Sequence, residues 1–184
     1  MPPIISIVGK SGSGKTTLIV KLILELKRRG YRIGTVKHAA HGFEIDHQGK
    51  DSWRHKQAGA ETVIVASSDK LSVQKNGDFD SLEALERYVE DLDLVLTEGY
   101  KRQNRPKIEI FRTETHKEPL RLDENQLVAF VTDTATTVYP NVPRFGLDDV
   151  TALSDLLEAL FLLPARASEQ AAGERSNSLH GTSA

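Results

Sequence analysis

The sequence predicts an α/β fold of three layers, with a mostly parallel sheet and an added β-hairpin. Two observations carry this. The first 37 residues read strand, helix, strand, and two strands joined by a helix are parallel. Later apolar runs of strand length recur at Leu94, Lys107 and Leu127, while two β-branched runs near residues 62–75 are separated only by a turn.

The elements follow in order. Ile4-Ile5-Ser6-Ile7-Val8 is a short β-branched run that reads as a buried strand, broken by glycines at 9, 12 and 14. From Lys15 to Arg29 the pattern is helical: Leu18, Leu22 and Leu26 repeat every four residues beside Ile19 and Ile23, and Gly30 supplies the stop. Tyr31 to Lys37 reads as a second strand. His38 to Lys50 is polar and aperiodic, a loop, and Asp51 to Ala58 a short helix. Residues 62–66 and 71–75 form the hairpin around Ser67-Ser68-Asp69-Lys70. Asp80 with Glu83 resembles a capping box opening a helix through Leu82, Leu85 and Val89. Strands are expected at Leu94–Thr97, Lys107–Phe111 and Leu127–Thr132. A last amphipathic helix runs from about Asp149 to Phe161, with Val150, Leu153, Leu156, Leu157 and Leu160 inward and Pro164 ending it. One domain over 1–163 is expected, followed by a small, polar, mobile tail over 164–184.

Composition narrows the function classes. There is no cysteine, which excludes disulfides, thiolate metal sites and cysteine nucleophiles. No run reaches the roughly 18 apolar residues of a membrane span, and the N-terminus lacks the pattern of a secretory signal, so a cytoplasmic protein away from membranes is expected. The net charge of −2 conceals an asymmetry: residues 1–57 hold eleven Lys/Arg against four Asp/Glu. Such a basic segment suits an anionic ligand, although the excess is too scattered to indicate nucleic acid.

Gly9-Lys10-Ser11-Gly12-Ser13-Gly14-Lys15-Thr16 matches the phosphate-loop (Walker A) pattern GxxxxGK[ST], placed after a strand and at the head of a helix, where the pattern has physical meaning. Small residues let backbone N–H groups approach phosphate oxygens, and the helix start adds about half a positive charge. Lys15 is expected to reach the β- and γ-phosphates, and the Thr16 hydroxyl, with Thr17 beside it, to ligate magnesium. Lys10 also satisfies the stricter GKxGxGK[ST] pattern of deviant phosphate loops in dimeric nucleotide-switch ATPases, whose extra lysine reaches across a dimer. An ordinary solvent-exposed lysine is the alternative.

A phosphate-loop site needs a second acid on a neighbouring strand. In Asp93-Leu94-Val95-Leu96-Thr97-Glu98-Gly99 the two acids lie roughly 16 Å apart at about 3.3 Å per residue. Ligands in open α/β sheets sit beyond the carboxyl ends of strands, so Glu98 is the magnesium or water-orienting acid and Asp93 marks the strand start. Gly99 lets the backbone pass near the γ-phosphate. Asp46, in the loop after the second strand, either contacts magnesium or caps its loop, and Lys50 and Asp51 belong to the same region. His38, His41, His47 and His55 crowd this segment, but their spacing does not suit a structural zinc site. They read as loop histidines, with His38 and His41 available to a ligand.

The order of these motifs, the phosphate loop, Lys37-His38-x-x-His41, Asp46-x-x-Gly49-Lys50-Asp51-Ser52, Ala58-Gly59-Ala60 and Glu98-Gly99-Tyr100-Lys101, resembles the MobB family of molybdopterin-guanine dinucleotide biosynthesis adaptor proteins over roughly residues 4–162. The resemblance implies a P-loop NTPase-like fold and a dimeric, GTP- and magnesium-binding protein that is at most a slow GTPase. Its partner would be a MobA-type guanylyltransferase that attaches GMP to molybdopterin in molybdenum cofactor biosynthesis. It further implies phosphate contacts from Gly12 to Thr17, a nucleotide site lined by Glu98, Gly99 and Lys101, and a 38–52 loop acting as a switch or facing the pterin. Lys10 departs from members with an aromatic residue or Ser there. The common guanine reader Asn/Thr-Lys-x-Asp is absent. Asp133 either accepts the N1 and N2 protons of guanine or caps a turn.

Two other readings compete. A small-molecule or nucleoside kinase carries an arginine-rich lid, for which Lys101-Arg102-Gln103-Asn104-Arg105 is the nearest candidate. A partner-binding module with vestigial nucleotide binding is the third.

Overall fold

A computed structural model describes residues 1–39, 42–165 and 167. The elements are β1 (Ile4–Val8), α1 (Lys15–Arg28), β2 (Ile33–Lys37), α2 (Asp51–Gln57), β3 (Thr62–Ala66), β4 (Leu71–Lys75), β5 (Leu94–Glu98), β6 (Lys107–Phe111), β7 (Leu127–Thr132), β8 (Arg144–Phe145) and α3 (Val150–Leu157). The chain forms two compact units, Ala39–Arg87 and the remainder.

The larger unit is built on a six-stranded sheet of order β2-β5-β1-β6-β7-β8 whose neighbours are all parallel. One face is aliphatic because alternate strand residues point the same way. Ile5, Ile7, Leu94, Leu96, Ile108, Ile110, Ala129 and Val131 pack there with Leu18, Leu22 and Leu26 of α1 and Leu153 and Leu157 of α3. Arg29 locks the two helices together, reaching Glu25 at 2.8 Å, Asp155 at 2.7 Å and Glu158 at 2.8 Å. The Tyr31 hydroxyl donates to the second oxygen of Glu158. On the opposite face Phe111, Leu127 and Phe130 pack against Tyr139 and Val142, which come from an irregular segment rather than a helix. Over β6 and β7 the cover on that side is therefore irregular chain.

The hairpin forms in the expected register, with Thr62 opposite Lys75 and Ala66 opposite Leu71, as a two-stranded sheet of its own in the smaller unit. Asp93 marks the strand start: its carboxylate accepts the Arg32 N–H at 2.7 Å.

Several expectations need correction. The second strand begins at Ile33, not Tyr31. The helix expected from Asp80 is a 3₁₀ segment, Glu83–Tyr88, at whose start Ser81 Oγ accepts the Ala84 N–H at 3.3 Å. The two-residue strand β8 is too short to show a period and was not expected from sequence.

The C-terminal helix departs furthest. After Leu157 it widens into a π turn over Glu158–Leu162, with the Leu163 N–H reaching the Glu158 carbonyl five residues back. Each turn now takes more residues, which rotates the apolar face from Leu160, 48% exposed, to Leu162, 1% exposed. Pro164 does not end the helix, which continues helically through residue 165. Leaving the π turn, the chain accommodates a residue with no N–H to contribute. Nearly all of the expected tail lies outside the described residues.

The π turn yields a paired prediction. Leu162→Ala should lower stability by about 2–5 kcal/mol, while Leu160→Ala should change it by no more than about 0.5 kcal/mol, as read from urea unfolding midpoints. A regular α-helix in solution would give Leu160 the larger effect.

Candidate functional site

Because the six strands are parallel, the ends of β1, β2, β5, β6 and β7 open onto one edge of the sheet, where an α/β fold places its ligand. The loop from Gly9 to Gly14 leaves β1 at that edge and turns into α1. Its shape needs glycine at specific points. A Cβ at Gly9 would stand 2.5 Å from both the Ile110 carbonyl oxygen and Ser13 Oγ, so only glycine lets the loop lie against β6. Gly12 and Gly14 have φ of +76° and +97°, the left-handed region, and Gly14 caps α1 from that conformation.

Lys15 Nζ donates to the Gly9 and Lys10 carbonyls at 3.1 and 2.9 Å, folding the ammonium across its own loop. The Thr16 hydroxyl donates to Glu98 Oε2 at 2.9 Å, joining residues 82 positions apart. Register explains the meeting, since Glu98 lies opposite Ile7 of β1, two residues before the loop begins. Beneath it the Thr97 and Ser6 hydroxyls, both buried, pair at 3.0 Å. Thr17 is exposed in the first turn of α1, Lys10 is half-buried, and Ser13 Oγ is buried without a hydrogen-bond partner among the described residues.

Beyond Glu98 the chain turns sharply. Gly99 has φ of +104° with His38 Cβ only 3.1 Å from where a Cβ would sit, and Tyr100 is itself left-handed at φ +52°. The His38 ring lies 4.8 Å from that of Tyr100, and the His38 N–H donates to the Glu98 carbonyl at 3.0 Å. Lys37 stands opposite Glu98 in the β2–β5 register. Lys101 follows in an exposed turn. Asp133 lies just past β7, where its carboxylate accepts the Thr113 N–H at 3.0 Å and the Thr113 hydroxyl at 3.2 Å.

Asp46, Lys50 and Asp51 belong to the smaller unit. Asp46 accepts the His47 N–H at 2.9 Å and the Gln74 side-chain amide at 3.2 Å, and hydrogen bonding from Ser52, then Gln74 and His47, holds its carboxyl below the ordinary value. Lys50 occupies the N-cap position of α2 and Asp51 its first residue. His41 lies outside the described residues.

The donor set suits magnesium, a hard cation usually held by one or two protein oxygens together with phosphate. The Thr16 hydroxyl and the Glu98 carboxylate, hydrogen-bonded to one another, would offer such oxygens.

Residues invisible to motif reading also meet at this edge. His116 Nε2 lies 2.7 Å from the Ser11 carbonyl oxygen of the loop, a pairing across 105 positions that no local pattern could signal. Glu109, opposite Val8 in the next strand, is buried. It accepts the Leu120 N–H at 2.5 Å and the Tyr139 hydroxyl at 2.6 Å. Burial raises its carboxyl above the ordinary value despite these hydrogen bonds and the nearby charge of Lys10.

That shift has a defined sign. The unfolded carboxyl ionises near about 4.3, whereas the folded one keeps its proton to higher pH. Between those values the folded state binds more protons, so the Glu109 contribution to stability falls as pH rises through the window. Across pH 4–7 the denaturation midpoint of the native chain should fall relative to that of Glu109→Gln, which lacks this titration. An unchanged profile would place the titration elsewhere.

Comparison with known proteins gives the family. Residues 4–133 match the family model of molybdopterin guanine dinucleotide synthesis protein B. The molybdopterin-guanine dinucleotide biosynthesis adapter protein of Haemophilus influenzae is 37% identical over 161 residues, 85% of this chain and 88% of that protein. That of Escherichia coli is 34% identical over 163 residues, covering 85% and 92%. The crystal structure of Bacillus subtilis MobB aligns with a TM-score of 0.70 at 28% identity, over 86% of this chain and 98% of that one. The matched segment runs from β1 through β7 and contains both the phosphate loop and Glu98; the chain belongs to the MobB family, the molybdopterin guanine dinucleotide synthesis proteins B.

Proposed function

We propose that this chain is a GTP- and magnesium-binding adaptor in molybdenum cofactor biosynthesis, working with a molybdopterin guanylyltransferase, and that it is at most a slow GTPase. The observation that carries the nucleotide part is the contact between Thr16 and Glu98: the first hydroxyl of the helix and the acid at the end of the adjacent strand meet at 2.9 Å, beside the loop that holds Lys15. The adaptor role and the guanine preference rest on family membership and on the names of the relatives. In the proposed site, backbone N–H groups of Gly12 to Thr17 and the Lys15 ammonium hold the phosphates, while Thr16 and Glu98 hold magnesium. Gly99 and Lys101 line the site. The metal, when bound, neutralises charge on the β- and γ-phosphates. Asp133 is the candidate for reading guanine, although Thr113 already occupies both of its oxygens.

Slow turnover follows from the arrangement. Glu98 is committed to Thr16, so orienting a water competes with that bond, and a partner or a second copy must supply what is missing. Lys10 is the residue that a dimer would bring to the other copy's nucleotide. One hairpin face, carrying Ile64, Leu71 and Val73 at 61, 65 and 42% exposure, supports a homodimer. Lys37, His38 and the segment through Asp51 remain the proposed switch or pterin-facing surface, with Asp46 as its candidate magnesium contact. A cytoplasmic location fits, and among the described residues no helix is long and apolar enough to cross a membrane.

A kinase is disfavoured because its lid must close over phosphate. The candidate segment Lys101–Arg105 is instead tied to the sheet by Lys107, whose buried ammonium donates to the Gln103 and Arg105 carbonyls at 2.7 and 3.1 Å and to Gln126 at 2.5 Å.

Competition binding of GTP against ATP, with and without magnesium, tests the reading directly: GTP should win and the metal should strengthen it. Lys15→Ala and Thr16→Ala should each weaken binding tenfold or more, at about 1.4 kcal/mol per factor of ten. Glu98→Gln should slow hydrolysis more than it weakens binding. A turnover above about 1 per second without a partner would contradict the slow-GTPase assignment.

A further inference from the structure

The phosphate loop has one weak point in its own chemistry. A planar trans peptide unit points its carbonyl and its N–H in opposite directions, so the Ser11–Gly12 unit can offer phosphate a donor only if the Ser11 carbonyl faces the other way. Gly12, at φ +76°, imposes no steric barrier of the kind that a Cβ would. Left to itself, that plane is free to rotate. The neighbouring carbonyls are already pinned, Gly9 and Lys10 by the Lys15 ammonium. The Ser11 carbonyl is pinned by His116, at 2.7 Å.

From this contact we infer that His116 is a positioning residue for nucleotide binding: it captures the Ser11 carbonyl and thereby directs the Gly12 N–H toward the phosphates. The inference rests on the nucleotide-binding reading above and adds to it a residue outside the Walker motif.

A carbonyl oxygen only accepts, so Nε2 must carry the proton, which in the neutral ring leaves Nδ1 bare. The imidazole is presented from a braced turn just after β6. The His116 and Thr115 N–H groups both donate to the Arg112 carbonyl, at 3.1 and 3.2 Å. Thr113 is anchored to Asp133 by its N–H and its hydroxyl. Arg112 lies against the loop as well, its Cδ 3.7 Å from where a Gly14 Cβ would stand, and it pairs with Glu114. The turn and the phosphate loop therefore hold each other, and His116 joins them by a directional bond.

Two measurements on the full chain decide the matter. In titrations with magnesium and GTP, His116→Ala should bind about tenfold more weakly, the worth of roughly one hydrogen bond, and His116→Gln, whose amide also donates, should recover most of that loss. Equal affinity in all three proteins, or a glutamine variant as weak as alanine, overturns the inference while leaving the nucleotide function standing. Independently of any nucleotide, nitrogen resonances of the ring at pH 8 should show the Nε2–H tautomer. An Nδ1–H tautomer overturns the clasp, because Nε2 would then have nothing to donate. If the native protein binds neither GTP nor ATP, the proposed function fails, and with it a role for His116 in binding.

Discussion

The alignment of β5 beside β1 is the constraint on which the site depends. Both strands run the same way, and Ile7 stands opposite Glu98. That single register carries the acid to the edge where the loop leaves β1 and where α1 begins. A shift of one residue would send Glu98 to the other face of the sheet, since side chains alternate with a period of two. The aliphatic face enforces the alignment: Leu94 and Leu96 must sit in the core beside Ile5 and Ile7 under α1. Burying apolar area at about 25 cal/mol per Å² therefore sets the position of a charged group that is not itself in the core.

The opposite face follows a different logic. Ser6, Thr97, Lys107 and Glu109 are all buried there, and buried polar groups are tolerated only when paired. The two hydroxyls satisfy one another, Lys107 gathers the Gln103–Arg105 turn, and Glu109 gathers Leu120 and Tyr139. Each buried charge thus holds down an irregular segment that no helix braces. The arrangement explains how residues 99–106 connect two parallel strands, with β1 between them, without a crossover helix. The same β6–β7 segment, held to Glu109 through Leu120, carries His116 against the phosphate loop.

Sequence reading located the strands closely because each is a compact β-branched or aliphatic run, and the hairpin and the strands at 107–111 and 127–132 have the expected bounds. It failed where hydrogen bonding overrides periodicity. The helix expected to open at Asp80 tightens instead to a 3₁₀ segment, at whose start the Ser81 hydroxyl accepts the Ala84 N–H. At the C-terminus, Leu160 continues a 3.6-residue period that the π turn abandons in favour of Leu162.

By itself the sequence located the phosphate loop, the helix behind it and an acid at the carboxyl end of β5, because each rests on local spacing: glycines at fixed offsets, a lysine and threonine at a helix start, and an acid at the far end of an apolar run. Family order in those same motifs carried the reading to an adaptor. Tertiary structure alone decided which distant groups complete the site. Thr16 with Glu98, Ser11 with His116 and Asp133 with Thr113 are separated by 82, 105 and 20 positions. They meet because parallel strands bring the segments that leave their carboxyl ends to one edge of the sheet, a consequence of chain topology that no window of neighbouring residues contains.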